Sequence, residues 1–218
     1  MNDQDIHVVV QRLQQSLKQW DMPIVSHLAE MGQDPFKILI STLLSLRTKD
    51  ETTTEATARL FRLAQSPAEM LQLSEAAIIK AIYPVGFYRN KAKTIHHICR
   101  ELIERHEARV PDDIETLLAL KGVGRKTANL VIALGYGKPA ICVDTHVHRI
   151  SNRLGYVDTK NPEQTEQVLR SKLPLQYWTL YNTLLVAFGQ HICRPVSPFC
   201  SRCPVYDCCD RKNVSKSR

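Results

Sequence analysis

Residues 120–128 read Leu-Lys-Gly-Val-Gly-Arg-Lys-Thr-Ala, two glycines one residue apart with a basic pair directly behind them. The stretch lies at the junction between a short helix marked by Ile114, Leu117 and Leu118 and a longer one after it. Glycines at such a junction permit positive φ and the close approach of another backbone. The amides of the turn and of the next helix's first turn can then cradle an anion. Gly122, Val123, Gly124 and Arg125 thus spell a helix-hairpin-helix able to grip a DNA phosphate without reading bases. A tight turn whose glycines only save space would use the same residues.

Outward from this hairpin, helical spacing runs almost throughout. Ile6, Val9, Val10, Leu13, Leu17 and Trp20 follow the three-four rhythm, as do Phe36, Leu39, Ile40, Leu43 and Leu44. No stretch alternates strictly enough for a strand, so the fold class is all-α. Asp34-Pro35, Ser66-Pro67 with Glu69, and Asn161-Pro162 with Gln164 each put an N-cap before a first-turn proline. Gly135, Gly155 and Gly189 are placed where helices stop. About ten short-looped helices are expected. The basic stretch from Arg211 to Arg218 lacks apolar periodicity and reads as a flexible tail.

A chain of 218 residues, 44% of them hydrophobic, can bury a core unaided. Its 29 Lys and Arg against 22 Asp and Glu leave a net charge of +7, which suits a polyanionic partner as well as plain solubility. The N-terminal segment carries acids where a secretory signal needs basic residues, and no stretch reaches membrane-spanning length. A cytosolic monomer with no membrane association is expected. Seven cysteines in such a compartment are poor disulfide candidates, and five of them, Cys193, Cys200, Cys203, Cys208 and Cys209, crowd one end.

Lys126 falls in the first turn of the helix after the hairpin, where the positive end of the dipole favours a free amine over an ammonium. A free amine is a nucleophile, and a lysine beside a phosphate is also a simple charge contact. Eighteen residues on, Asp144 in Val143-Asp144-Thr145-His146 reads as the N-cap of a helix carrying Val147, Ile150 and Leu154. Cys193, Cys200, Cys203 and Cys209 stand as C-x6-C-x2-C-x5-C, four soft donors in one short segment. Structural zinc remains open on spacing, although zinc sites usually show two close pairs and here only Cys200 and Cys203 form one. The residues themselves do not choose between Cys208 and Cys209.

The run LKGVGRKTANLVIALGYGKPAICVDTHVHRISNRLG, residues 120–155, resembles the active-site region of the endonuclease III family, and the likeness extends from Asp34-Pro35-Phe36 to the terminal cysteines. The resemblance implies a bifunctional DNA glycosylase and AP lyase of base excision repair. It would act on double-stranded DNA carrying a damaged base, by family expectation an oxidised pyrimidine, or an abasic site. Lys126 would attack C1′ of a flipped nucleotide, Asp144 would assist, and a Schiff base would lead to β-elimination. The resemblance also implies a [4Fe-4S] cluster on Cys193, Cys200, Cys203 and Cys209, leaving Cys208 spare. Two lobes follow, a six-helix barrel over residues 28–138 and a cluster lobe formed by residues 1–27 and 139–218, with the DNA site between them. In related mismatch adenine glycosylases the position of Lys126 is usually not lysine. A monofunctional mismatch glycosylase and a non-catalytic iron–sulfur DNA-binding protein are the rival readings.

Flipping a base leaves a gap that a side chain fills. Residues 45–50, Ser-Leu-Arg-Thr-Lys-Asp, align with a family loop that usually reads Ser-Ala-Gln-Ala-Thr-Asp, so Arg47 stands where the inserting glutamine is expected. Phe87, in the segment 85–91, occupies the place of an apolar wedge, and Arg89, Lys91 and Lys93 after it suggest a phosphate-facing surface. Lys121 replaces a frequent family proline and adds a second hairpin amine, while Arg194 and Arg202 are the basic residues left near the cysteine loop for backbone contact. His96, His97, His146 and His148 form no convincing metal site.

Overall fold

The computed structural model describes Met1, residues 4–20 and residues 34–218. Among the described residues there is no strand, and the α-helices in chain order are α1 (Asp5–Leu17), α2 (Pro35–Ser45), α3 (Asp50–Phe61), α4 (Pro67–Gln72), α5 (Glu75–Ile82), α6 (Tyr88–Arg105), α7 (Ile114–Ala119), α8 (Arg125–Leu130), α9 (Thr145–Leu154), α10 (Pro162–Lys172) and α11 (Trp178–His191). The fold is all-α, as the periodicity indicates. No helix among the described residues is long and apolar enough to cross a membrane.

Capping explains where these helices begin. The Asp34 carboxylate accepts from the amides of Phe36 and Lys37 at 2.9 and 3.3 Å, and Pro35 follows where no amide is needed. Ser66 accepts from Glu69 N at 3.2 Å while Glu69 reaches back to Gln65 N at 2.7 Å. Asn161 and Gln164 repeat that exchange, with Gln164 reaching back to Lys160 N.

The chain divides into two compact units, Met1–Pro23 with Pro139–Arg218, and Ile24–Lys138. The boundary drawn at residues 27 and 28 lies outside the described residues. In the Ile24–Lys138 unit, α2 packs on α3, α6 and α8, and α6 receives α4 and α5. Leu39, Ile40, Leu44, Leu60, Ile78, Ile95 and Leu102 are buried there. Helix α8 runs on into a π-helical turn, Val131–Gly135. Gly135 lies against Pro35, whose Cα would be 3.1 Å from an added Cβ.

In the other unit, the stripe Ile6, Val9, Val10 and Leu13 of α1 joins Val147, Ile150 and Leu154 of α9 and Tyr181, Leu184, Leu185 and Phe188 of α11 in one core. The Tyr181 hydroxyl is paired with Ser151 Oγ at 3.1 Å, and burial holds its pKa far above the usual value. Gly155 ends α9 in the left-handed conformation expected of it, at φ 77°. Gly189 does not end a helix, because α11 continues to His191. Its missing side chain serves packing instead, since a Cβ would collide with His146 Nδ1 and approach Arg149 Nη2 to 2.9 Å. The segment 211–218 is not a loose tail either: the amide of Arg218 donates to Pro198 O at 2.8 Å, and the amide of Ser201 donates to Arg218 O at 2.9 Å.

Candidate active site

The hairpin closes between α7 and α8. Val123 N donates to Leu120 O at 3.0 Å, and Gly122 takes φ 91°, a conformation that L side chains rarely adopt. Gly122 also lies on α6, where an added Cβ would come within 2.6 Å of Thr94 Cγ2. Gly124 is the N-cap of α8, so Arg125, Lys126 and Thr127 are its first-turn residues, whose amides lie outside the helical ladder. Lys121, Gly122, Gly124 and Arg125 are exposed, and Lys126 is half-buried. Val123 is buried, so the backbone rather than the side chain is what it can offer to a phosphate.

In the other unit, Asp144 caps α9 as its position before Thr145 predicts. Its Oδ1 accepts from the amides of His146 and Val147, both at 2.9 Å. His146 Nδ1 meets Arg149 Nη2 at 3.2 Å and His148 Nδ1 meets Thr165 Oγ1 at 2.7 Å, so both are hydrogen-bonded histidines. Burial lowers the pKa of His148 and favours its neutral form.

Cys193, Cys200, Cys203 and Cys209 line one pocket together with Ile150, Leu154, Phe188 and Val205, whereas Cys208 is not among its lining residues. All four thiols are free. Burial pushes the Cys203 thiol up to about 12, and the other three cysteines add to that rise. Burial, with the nearby Asp207 carboxylate, also raises the Cys208 thiol pKa. Among the described residues, no three His, Cys, Asp or Glu side chains close on a single metal ion.

The segments around Arg47 and Phe87 meet within the Ile24–Lys138 unit. Both residues take the left-handed conformation, at φ 54° and 57°. The Arg47 guanidinium lies 5.4 Å from the centre of the Phe87 ring, which is 59% exposed and so outside the core. Lys91 departs from the expected phosphate-facing surface. It is only 8% exposed, and its amine donates to Leu44 O at 2.8 Å, Leu46 O at 2.6 Å and Thr48 Oγ1 at 3.3 Å.

Residues 40–175 match the family model of the HhH-GPD superfamily of base excision DNA repair proteins. Endonuclease III of Thermotoga maritima is 48% identical over 81% of this chain and 83% of its own length. Endonuclease III of Escherichia coli K12 is 39% identical over 82% and 84%. The chain belongs to the endonuclease III family. In three dimensions it overlays on an endonuclease III trapped as a covalent intermediate with DNA, with TM-score 0.86, 32% identity and 97% of each chain covered. A thermostable thymine-DNA glycosylase overlays with TM-score 0.82 at 25% identity, covering 94% of this chain and 95% of that one.

The endonuclease III family carries a [4Fe-4S] cluster, and the residues present fit one. The four cysteines line one pocket, and Arg153, 8% exposed and in the same lining, donates to Cys193 Sγ at 3.5 Å and to the carbonyls of Arg194 and Pro195, both at 2.7 Å. An iron–sulfur core held by four thiolates is anionic, the counter-charge that a buried guanidinium calls for. Arg194 and Arg202 lie over the Phe199 ring at 5.2 and 4.1 Å from its centre, which leaves their charge on the surface of the cysteine loop. Sequence reasoning missed the inward turn of Lys91 and Arg153. The signal was available, since position 91 continues the buried rhythm of Ile95, Ile98 and Leu102, and position 153 follows Val147 and Ile150.

Proposed function

We propose that this chain is a bifunctional DNA glycosylase and abasic-site lyase of base excision repair, with Lys126 as nucleophile and Asp144 as its carboxylate partner. The observation that carries the reading is the place of Lys126, one residue into the helix that the phosphate-gripping hairpin starts. Amides that hold the DNA backbone there leave the lysine amine beside the sugar of the same strand.

A flipped nucleotide presents C1′ to the Lys126 amine, the N–C1′ bond forms, and the base departs with the electrons of the glycosidic bond and takes up a proton. The Asp144 carboxylate receives the proton that the lysine gives up and offsets positive charge developing on the sugar. The sugar ring opens to an imine on Lys126. Water takes the C2′ proton as the C3′–O bond breaks and the 3′ phosphate leaves with that bond's electrons, and a second water hydrolyses the imine to release the lysine.

Gly122, Val123, Gly124 and Arg125, joined by Lys121, hold backbone phosphate in this reading, while Arg47 and Phe87 fill the space that the base vacates. Cys193, Cys200, Cys203 and Cys209 hold a [4Fe-4S] cluster, which supplies a rigid anionic cross-link to the loop bearing Arg194 and Arg202 when it is bound. The Ile24–Lys138 unit then serves as the barrel lobe and the remainder as the cluster lobe. The substrate class is duplex DNA with oxidised pyrimidines, and the compartment is the nucleoid-containing cytoplasm.

The likeness to a thymine-DNA glycosylase favours a second reading, base removal without strand cleavage. Duplexes containing thymine glycol or a G·T mismatch separate the two. Base release and strand nicking rising together on thymine glycol supports the bifunctional enzyme; release from the mismatch with the strand left intact supports the other.

A further inference from the structure

The two segments that carry Arg47 and Phe87 share one buried anchor. Helix α2 ends at Ser45, and its terminal carbonyls need donors once away from water. Lys91, projecting from α6, supplies them at Leu44 O and Leu46 O and also reaches Thr48 Oγ1. That hydroxyl in turn accepts from Gly86 N at 3.1 Å, so one lysine and one threonine tie the Arg47 turn to the Phe87 turn. The turns are in direct backbone contact as well, because a Cβ on Gly86 would lie 2.5 Å from Arg47 O.

This arrangement holds two L-residues in a conformation they disfavour. Arg47 and Phe87 both sit at positive φ, and each such residue persists only where its surroundings over-determine it. What the held conformation achieves is the display of a guanidinium stacked against an exposed aromatic ring, with both side chains on the protein surface. A flat cation paired with a ring is suited to occupy a base-sized gap and to stack on the bases that flank it.

We infer that Lys91 is a positioning residue for duplex opening, which fixes through Leu44 O, Leu46 O and Thr48 the backbone from which Arg47 and Phe87 project. The inference rests on the reading of Arg47 and Phe87 as the gap-filling pair. Lys91 touches no substrate; it determines whether the pair is presented as a unit. Without its donors the turns relax, and Arg47 and Phe87 lose the shared geometry rather than their own chemistry.

The test places 2-aminopurine opposite an abasic site in duplex DNA and reads its fluorescence, which rises as the base loses its stacking partners. Every protein carries Lys126→Gln so that no strand is cut, and binding is followed separately by anisotropy so that amplitudes are compared at saturation. Arg47→Ala and Phe87→Ala are expected to lower the saturating amplitude. Lys91→Met and Thr48→Val are expected to lower it too, with single-turnover cleavage in the otherwise native enzyme falling about tenfold or more, as for a misplaced group remote from the reacting atoms. Thr48→Val leaves both carbonyl contacts of Lys91 in place and guards against a variant that simply fails to fold. If the Arg47 and Phe87 variants lower the amplitude and those at Lys91 and Thr48 keep it, the inference is overturned and the proposed function stands. If Lys91→Met and Thr48→Val weaken binding while the saturating amplitude is unchanged, their role is merely structural and the inference is again overturned. If Arg47→Ala and Phe87→Ala change nothing, the gap-filling reading fails and the inference falls with it.

Discussion

Replacing Gly122 with alanine strikes the hairpin in two ways that can be separated. Its φ of 91° strains any residue with a Cβ, and the added atom would stand 2.6 Å from Thr94 Cγ2. A non-glycine residue forced into such backbone costs about 1–3 kcal/mol. Threonine is stiff at χ1, so relief of the clash requires α6 or the turn to shift, an overpacking cost of about 1–3 kcal/mol more. Together about 2–6 kcal/mol is a large share of a domain's total stability and lowers Tm by roughly 4–24 °C. In a Thr94→Ser background the Cγ2 atom is gone, and the same substitution keeps only the backbone cost. The assay is thermal unfolding of wild type, both single variants and the double variant, with binding to undamaged duplex DNA measured alongside. The expected result is a coupling of about 1–3 kcal/mol between the two positions and weakened DNA binding in both alanine proteins. Wild-type melting and binding for Gly122→Ala would refute the claim that this backbone is required; an equal loss in both backgrounds would refute the contact with Thr94 as a source of the cost.

Other outcomes follow from the same geometry. Alanine at Cys193, Cys200, Cys203 or Cys209 is expected to abolish iron binding and the visible absorbance of the cluster, while Cys208→Ala keeps both; iron analysis and absorption spectra check this. Asp144→Asn keeps an oxygen that can cap α9 and loses the charge, so melting should move by less than about 1 kcal/mol while turnover falls by about 10²–10⁴. Burial lowers the Lys91 pKa from 10.5 to about 8, so the ammonium that makes the three donations gives up its proton more readily in the folded unit than in the unfolded chain. Stability from this group is therefore gained as pH rises from about 8 to about 10.5, and the Tm difference between wild type and Lys91→Met should shift toward wild type across that window.

Much of this protein was legible in its sequence because the signals were local. Asp34, Ser66 and Asn161 each satisfy amides two or three residues away, so helix starts could be read without knowing the fold. Asp144 is legible on the same grounds. Gly189 was misjudged because a glycine that ends a helix and one that admits a neighbouring side chain look alike until His146 and Arg149 are placed beside it. Lys91 and Arg153 stand on the buried rhythm of their helices and were misjudged for a related reason. Their charge argued for solvent, and only the tertiary fold shows Leu44 O and Leu46 O waiting for one and the carbonyls of Arg194 and Pro195 for the other. The choice of Cys209 over its neighbour came from family resemblance alone, because adjacent cysteines are indistinguishable by local pattern; in the fold Cys209, and not Cys208, lines the pocket that Cys193, Cys200 and Cys203 also line.

The central claim is that Lys126 forms an imine with the sugar of the excised nucleotide. Borohydride reduction during turnover on duplex DNA containing thymine glycol or an abasic site tests it directly, with wild type and Lys126→Gln compared on denaturing gels and the modified residue located by mass spectrometry. A covalent protein–DNA adduct mapped to Lys126 and absent from the Lys126→Gln protein is the predicted result. An active wild-type enzyme that yields no adduct, or an adduct that persists in Lys126→Gln on another amine such as Lys121, would contradict it.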